Sequence, residues 1–275
     1  MKELLKQSRP RFWIYVFGPF ILPLATLQSI HGLSFSLILV GLYFTFPANI
    51  FIYGVNDIYD KETDMHNDKK KSYETEISKQ VEKKVKIVLI IITLIILLYS
   101  VFFLTLITTA SILLFLICAH QYSAPPLRAK AIPFLDSIVS GVLYTIPAFV
   151  SWTMIHTSMP PLWPFIAACI WSMSMHAYSA VPDIEADKQA HIHTGATILG
   201  KNTMLVMCAI LYIIASIIVV PYLGIFAYIA GLIYLMLIIL SIATKTSGAT
   251  LRYYKMFPII NTLVGFGIFI KILLQ

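Results

Sequence analysis

Long uncharged apolar runs, separated by short polar stretches that carry nearly all the charge, dominate the chain from start to end. A hydrocarbon layer about 30 Å thick needs about 20 apolar residues of helix at a rise of about 1.5 Å each. Runs near that length predict nine membrane-spanning helices: Phe12–Ile30, Leu33–Gly54, Ile87–Leu104, Leu106–Tyr122, Ser137–Ile155, Trp163–Val181, Asn202–Val220, Leu223–Thr244 and Phe257–Leu274. The stretches 87–122 and 202–244 are too long for one crossing; Thr108-Thr109 and Pro221-Tyr222-Leu223-Gly224 supply residues for tight hairpins. The first run could pass for a secretory signal, but it continues to helical length with no clear small-x-small site after it. The expected fold class is therefore all-α, a polytopic membrane protein with one domain spanning residues 1–275.

Composition agrees. Of 275 residues, 59% are hydrophobic and 12% charged, against roughly 25% charged in soluble domains. A soluble enzyme, a disordered chain and a nucleic-acid binder are excluded, since the net charge of +7 reflects orientation in a bilayer rather than a basic face. Lys and Arg accumulate in cytoplasmic loops. Every basic residue except Lys271 falls in the amino-terminal segment or in the stretches 55–86, 123–136, 182–201 and 245–256. The alternate loops, around His31, Thr105, residues 157–161 and Pro221, carry no charge. That division puts the amino terminus on the cytoplasmic side of the cell membrane and the carboxyl terminus outside. Cys118, Cys169 and Cys208 lie in apolar runs at unrelated spacings, as buried free thiols would.

The acidic residues mark the chemistry. All but Glu3 and Asp136 sit in two loops on the predicted cytoplasmic side, after the second and sixth spans. In Asn56-Asp57-Ile58-Tyr59-Asp60-Lys61-Glu62-Thr63-Asp64, carboxylates at i, i+3 and i+7 share one face of a helix, with the neutral oxygen of Asn56 beside them. In Asp183-Ile184-Glu185-Ala186-Asp187, carboxylates at i and i+4 do the same. Packed carboxylates repel, more so near a membrane, and are tolerated when cations neutralise them. Oxygen ligands without His or Cys favour Mg²⁺, which is commonly shared between carboxylates and a phosphate group, so a diphosphate is the implied ligand. A solvated acidic loop would explain either segment alone; two of them after corresponding helices on one face argue for a site. Arg128 and Lys130, after Pro125-Pro126, can neutralise phosphate oxygens, and Tyr122 can donate its hydroxyl. The seven histidines, His191 and His193 included, are given no role.

The segments Asn56-Asp57-x-x-Asp60-x-x-x-Asp64 and Asp183-x-x-x-Asp187, on a nine-span chain, resemble the two aspartate motifs of the UbiA superfamily of intramembrane prenyltransferases. The stretches 65–74, 122–137 and 175–187 look most like the lycopene elongase branch, and the Arg-Pro-Ile-Pro-Ser-Gly-like continuation of many aromatic-acceptor members is absent. One departure is His191-Ile192-His193-Thr194-Gly195, where that branch leads us to expect a Gly-rich, Arg-bearing turn. The resemblance implies a helical bundle around a central lipid-open cavity. Two Mg²⁺ ions would be held by Asn56, Asp57, Asp60 and Asp64 on one side and Asp183 and Asp187 on the other, with Tyr122, Arg128, Lys130 and Lys188 on the diphosphate. Tyr53 and Tyr178 are candidates to stabilise an allyl cation through their ring faces. The implied partners are a prenyl diphosphate donor, dimethylallyl diphosphate foremost, and a lipophilic acceptor, lycopene foremost. An aromatic acceptor is the nearest alternative. A transporter is a weaker one, because the carboxylates sit at one membrane face rather than at midplane.

Overall fold

The computed structural model describes residues 2–27, 33–60 and 79–275, and every described element is helical. Asp64 and the stretch 65–74 lie outside the described residues.

The amino-terminal span departs from expectation. In place of one helix over 12–30 there is α1 (Lys2–Gln7), a 3₁₀ turn at Pro10–Phe12, α2 (Ile14–Ile21) and a 3₁₀ segment at Leu22–Thr26. Pro23 has no N–H to continue the α-helical ladder, and its ring crowds the preceding turn. The second span is also divided, into α3 (Phe35–Tyr43) and α4 (Phe46–Tyr59). Pro47 stands in the first turn of α4, where a missing N–H costs nothing, and the Asn49 amide donates to the Thr45 carbonyl at 2.7 Å across the break. Because α4 continues past Gly54 to Tyr59, the first acidic segment begins on a rigid helix rather than in a loop.

The following helices are α5 (Lys79–Phe103), α6 (Leu106–Ser123), α7 (Leu135–Ile155) and α8 (Leu162–Ser179). Next come α9 (Ile184–Gln189), α10 (Gly195–Leu223), α11 (Ile225–Ile242), α12 (Leu251–Tyr254) and α13 (Phe257–Leu273). The turn between α5 and α6 falls three residues before the expected Thr108-Thr109: Thr105 caps α6 by accepting from the Thr108 N–H. The α10–α11 turn is at Gly224, whose φ of 59° is the left-handed conformation a glycine adopts freely.

Among the described residues, seven helical segments are long and apolar enough to cross a bilayer. The two expected spans missing from that set are the divided amino-terminal one and α8, which carries three serines, His176 and Tyr178. The polar content of α8 follows from its place at the centre of the bundle, packed against α7 and α10. There Ser174 donates to the Cys208 carbonyl at 2.9 Å, and Gly141 of α7 lets the backbone of α8 come close. The periphery is the inverse: Ile90, Leu94, Leu98 and Val101 form an exposed apolar stripe along α5, the surface of a multi-pass membrane protein.

Candidate active site

A cavity of about 210 Å³ opens where α4, α6, α7 and α8 end or begin, and both acidic segments reach it. Asn56 and Asp60 stand at i and i+4 on α4 and at its C-cap, so they share a face; the Asn56 amide donates to Asp60 at 2.6 Å and to Ser123 at 3.2 Å, which orients it. Asp183 stands at the N-cap position of α9 and Asp187 lies one turn on, its N–H donating to the Asp183 carbonyl at 2.8 Å; both residues line the cavity.

Asp57, expected beside Asn56 and Asp60, sits apart from them in the structure. One residue further round α4 than Asn56, it is 1% exposed and does not line the cavity. Its carboxylate instead accepts from Arg9 at 2.6 Å and from the Gln7 amide, both buried. Among the described residues, the members of this segment that line the cavity are Asn56 and Asp60, at i and i+4.

Neutralisation also differs from expectation, because the chain's own cations take part in it. Lys130 pairs with Asp60, and Arg128 lies 3.7 Å from the same oxygen. The 3₁₀ turn at Ala129–Ala131, after the α6 end, carries Lys130 to the cavity, where its side chain is 12% exposed; Arg128, 40% exposed, lies off the lining. Arg9 lines the cavity with its guanidinium over the Tyr53 ring at 4.5 Å. Read in sequence as an orientation anchor, Arg9 gave no other signal. Lys188 is exposed and lies off the cavity lining, as do His191 and His193. His191 adopts a left-handed φ of 54°, a conformation that favours glycine.

Aromatic rings form much of the remaining wall. Tyr53 lines it; Phe12, Tyr15 and Tyr144, not singled out from sequence, join it, with Phe12 stacked on Tyr15 and Tyr15 edge-on to Tyr144. Tyr178 does not: it is fully buried, bonded to Ser241 and packed on Phe257. Tyr122 lines the cavity, but its hydroxyl meets His176 Nε2 at 3.0 Å rather than standing free for a phosphate. Asp136, one of the two acids outside the clusters, is 3% exposed and also reaches the cavity. A titratable group on or beside an apolar span is the signal that could have found His176 and Asp136.

No three His, Cys, Asp or Glu side chains among the described residues close into a ready-made metal cage. Four oxygen donors, Asn56, Asp60, Asp183 and Asp187, nevertheless face one cavity beside Arg9 and Lys130. Such a set suits Mg²⁺, which keeps waters and completes its shell with substrate phosphates rather than protein alone.

Both acid-bearing segments of this membrane bundle face an aromatic-walled cavity that also holds Arg9 and Lys130, a donor set for a divalent cation together with an anionic substrate. The UbiA prenyltransferase family model matches residues 14–257, and the chain belongs to that family. It is 39% identical to a lycopene elongase/hydratase from Haloarcula japonica, over 78% of this chain and 72% of the relative. It is 34% identical to a lycopene elongase/hydratase from Halobacterium salinarum, over 96% and 94%. The fold is similar to that of a UbiA homolog from Archaeoglobus fulgidus bound to GPP and Mg²⁺ (TM-score 0.66, 21% identity, 97% and 99% of the two chains). It is likewise similar to the apo structure of a UbiA homolog from Aeropyrum pernix K1 (TM-score 0.69, 17% identity, 97% and 98%). This chain is a prenyltransferase.

Proposed function

We propose that this prenyltransferase transfers an allylic group, dimethylallyl foremost, from its diphosphate to lycopene, lengthening the carotenoid. The observation that carries the donor half is the convergence of Asn56, Asp60, Asp183 and Asp187 with Arg9 and Lys130 on one cavity. The acceptor half is supported by the names of relatives aligned along most of the chain. A single domain over residues 1–275, lying in the cell membrane with the cavity mouth cytoplasmic, is part of the same reading; the charge division between alternate loops supports the orientation.

Two Mg²⁺ ions, held by Asn56 and Asp60 and by Asp183 and Asp187, would neutralise the diphosphate and make it a better leaving group. Asp64 belongs to the same expected set. Arg9 and Lys130 line the same cavity, and their positive charge would count most as the carbon–oxygen bond breaks and negative charge grows on the phosphate. Asp57 and Gln7 hold the Arg9 guanidinium at the wall, so it needs no reorganisation. Ile52, Leu143 and Met175 keep water from the allyl cation, and the ring faces of Tyr15, Tyr53 and Tyr144 stabilise it.

Membranes carrying the protein, incubated with dimethylallyl diphosphate and lycopene, are expected to yield carotenoids heavier by one or two five-carbon units. The parallel incubation uses longer prenyl diphosphates with an aromatic acid. Product from that second pair alone would refute the lycopene assignment and move the chain to an aromatic acceptor.

A further inference from the structure

Forming a carbon–carbon bond to an alkene or aromatic ring leaves a cation on the acceptor, and a proton must depart before the product is neutral. The arrangement described above supplies a charge partner for the leaving diphosphate and no stated destination for that proton. We propose that Tyr122, His176 and Asp136 form the relay that removes it, with His176 Nε2 as the final acceptor.

Three elements converge to make the relay. Tyr122 is in the last turn of α6, Asp136 in the first turn of α7, and His176 in the last turn of α8; all three line the cavity. The Tyr122 hydroxyl meets His176 Nε2 at 3.0 Å, with the rings edge to face at 5.4 Å. Asp136 Oδ2 lies 3.8 Å from the same nitrogen. The Asp136 carboxylate is 3% exposed, and its Oδ1 has no hydrogen-bond partner among the described residues. An imidazolium formed by proton capture would have the Asp136 carboxylate as an opposite charge 3.8 Å away. On α7 the residues after Asp136 that reach the cavity are Ser140, Leu143 and Tyr144, so the face bearing the carboxylate continues along the apolar, ring-lined wall where the cation would be sheltered.

The step balances as follows. The allylic carbon–oxygen bond breaks with its electron pair leaving on diphosphate, and an acceptor double bond supplies the pair for the new carbon–carbon bond. The acceptor cation then loses an adjacent C–H proton, whose electrons form a double bond, or gains a water oxygen that sheds a proton. In either case the Tyr122 oxygen receives one proton as its own passes to Nε2, leaving a neutral product and an imidazolium beside Asp136. Tyr122 is the catalytic residue that would meet the acceptor, and Asp136, 3.8 Å from His176 Nε2, supplies the countercharge for the imidazolium. The inference rests on prenyl transfer, not on which acceptor is used.

The test uses the full-length protein in lipid, comparing wild type with His176→Ala, Asp136→Asn and Tyr122→Phe. Prenylated product, donor KM and Mg²⁺-dependent donor binding are measured, with lycopene and with an aromatic acid in separate arms. Loss of a general base costs about 10²–10⁴-fold, so His176→Ala is expected to lose at least about 10² in kcat, with donor binding retained and turnover partly restored by added imidazole. Tyr122→Phe should fall similarly without imidazole rescue, and Asp136→Asn by less. Product formation by His176→Ala near the wild-type rate would overturn the relay, leaving the departing diphosphate as the base. So would a loss that imidazole does not relieve, because that marks a structural role. If wild type prenylates only the aromatic acid, the lycopene reading fails and the relay is judged in that arm.

Discussion

Asp57 and Asp60 are three residues apart on one helix, yet they meet different neighbours and should fail differently when changed. Asp57 neutralises Arg9 where both are buried, and removing one member of a buried ion pair costs about 3–5 kcal/mol. Asp57→Ala is therefore expected to lower the melting temperature sharply as well as activity. Asp183→Asn, changed at a half-buried cavity-lining position, should melt near wild type while losing Mg²⁺-dependent diphosphate binding. Thermal unfolding in detergent beside a donor-binding assay separates the two, and equal melting of both variants would contradict the assigned roles. The sequence told which residues carry oxygen donors but not which of them point inward. Asn56 and Asp60 could be paired from a spacing of four, whereas the rotation of Asp57 toward Arg9 depends on where α1 packs, a contact 48 residues away in sequence.

At the scale of elements, helix contacts in the bundle depend on small residues, and Gly141, next to the cavity-lining Ser140 on α7, is a tight case. A methyl group there would sit 2.4 Å from Met173 Cγ and 2.9 Å from the Cys169 carbonyl oxygen, and the carbonyl is backbone that cannot step aside. Gly141→Ala is expected to cost about 1–3 kcal/mol by overpacking, read as a lowered melting temperature. Because α7 and α8 carry Asp136 and His176, it should also reduce turnover more than it reduces donor binding. Gly248→Ala, with open space around the position, serves as the comparison and should change neither. The apolar runs made most spans legible because each must exceed the bilayer's thickness. The breaks were less so: Pro23 and the Phe44-Thr45 junction interrupt runs whose hydropathy is continuous. The polar face of α8 lowered its own signal because it is turned toward neighbouring helices rather than lipid.

Over the whole molecule, Arg9 and Lys130 stand at the cavity that Asp60, Asp183 and Asp187 also line, and every basic residue but Lys271 falls in the amino-terminal segment or in the loops expected on one side. If that side faces the cytoplasm, a cysteine placed at Lys245 in a chain lacking Cys118, Cys169 and Cys208 will react with an impermeant maleimide only in opened cells. One placed at Ser158 will react in intact cells. The reverse labelling pattern would invert the proposed orientation.

The ion pairs of Asp60 have a further consequence. A carboxylate that already shares its oxygens with Lys130 and Arg128 is a poor lone acceptor for a divalent ion, because the newcomer must compete with two tethered cations. An incoming pyrophosphate offers those two side chains another anion and releases the carboxylate at the same moment. Affinities for Mg²⁺ and for a diphosphate should then be reciprocally linked, each raising the other by the same factor. Titration calorimetry should find that linkage strong in wild type and weakened in Lys130→Met; a factor unchanged by the substitution would mean the swap of partners plays no part in loading.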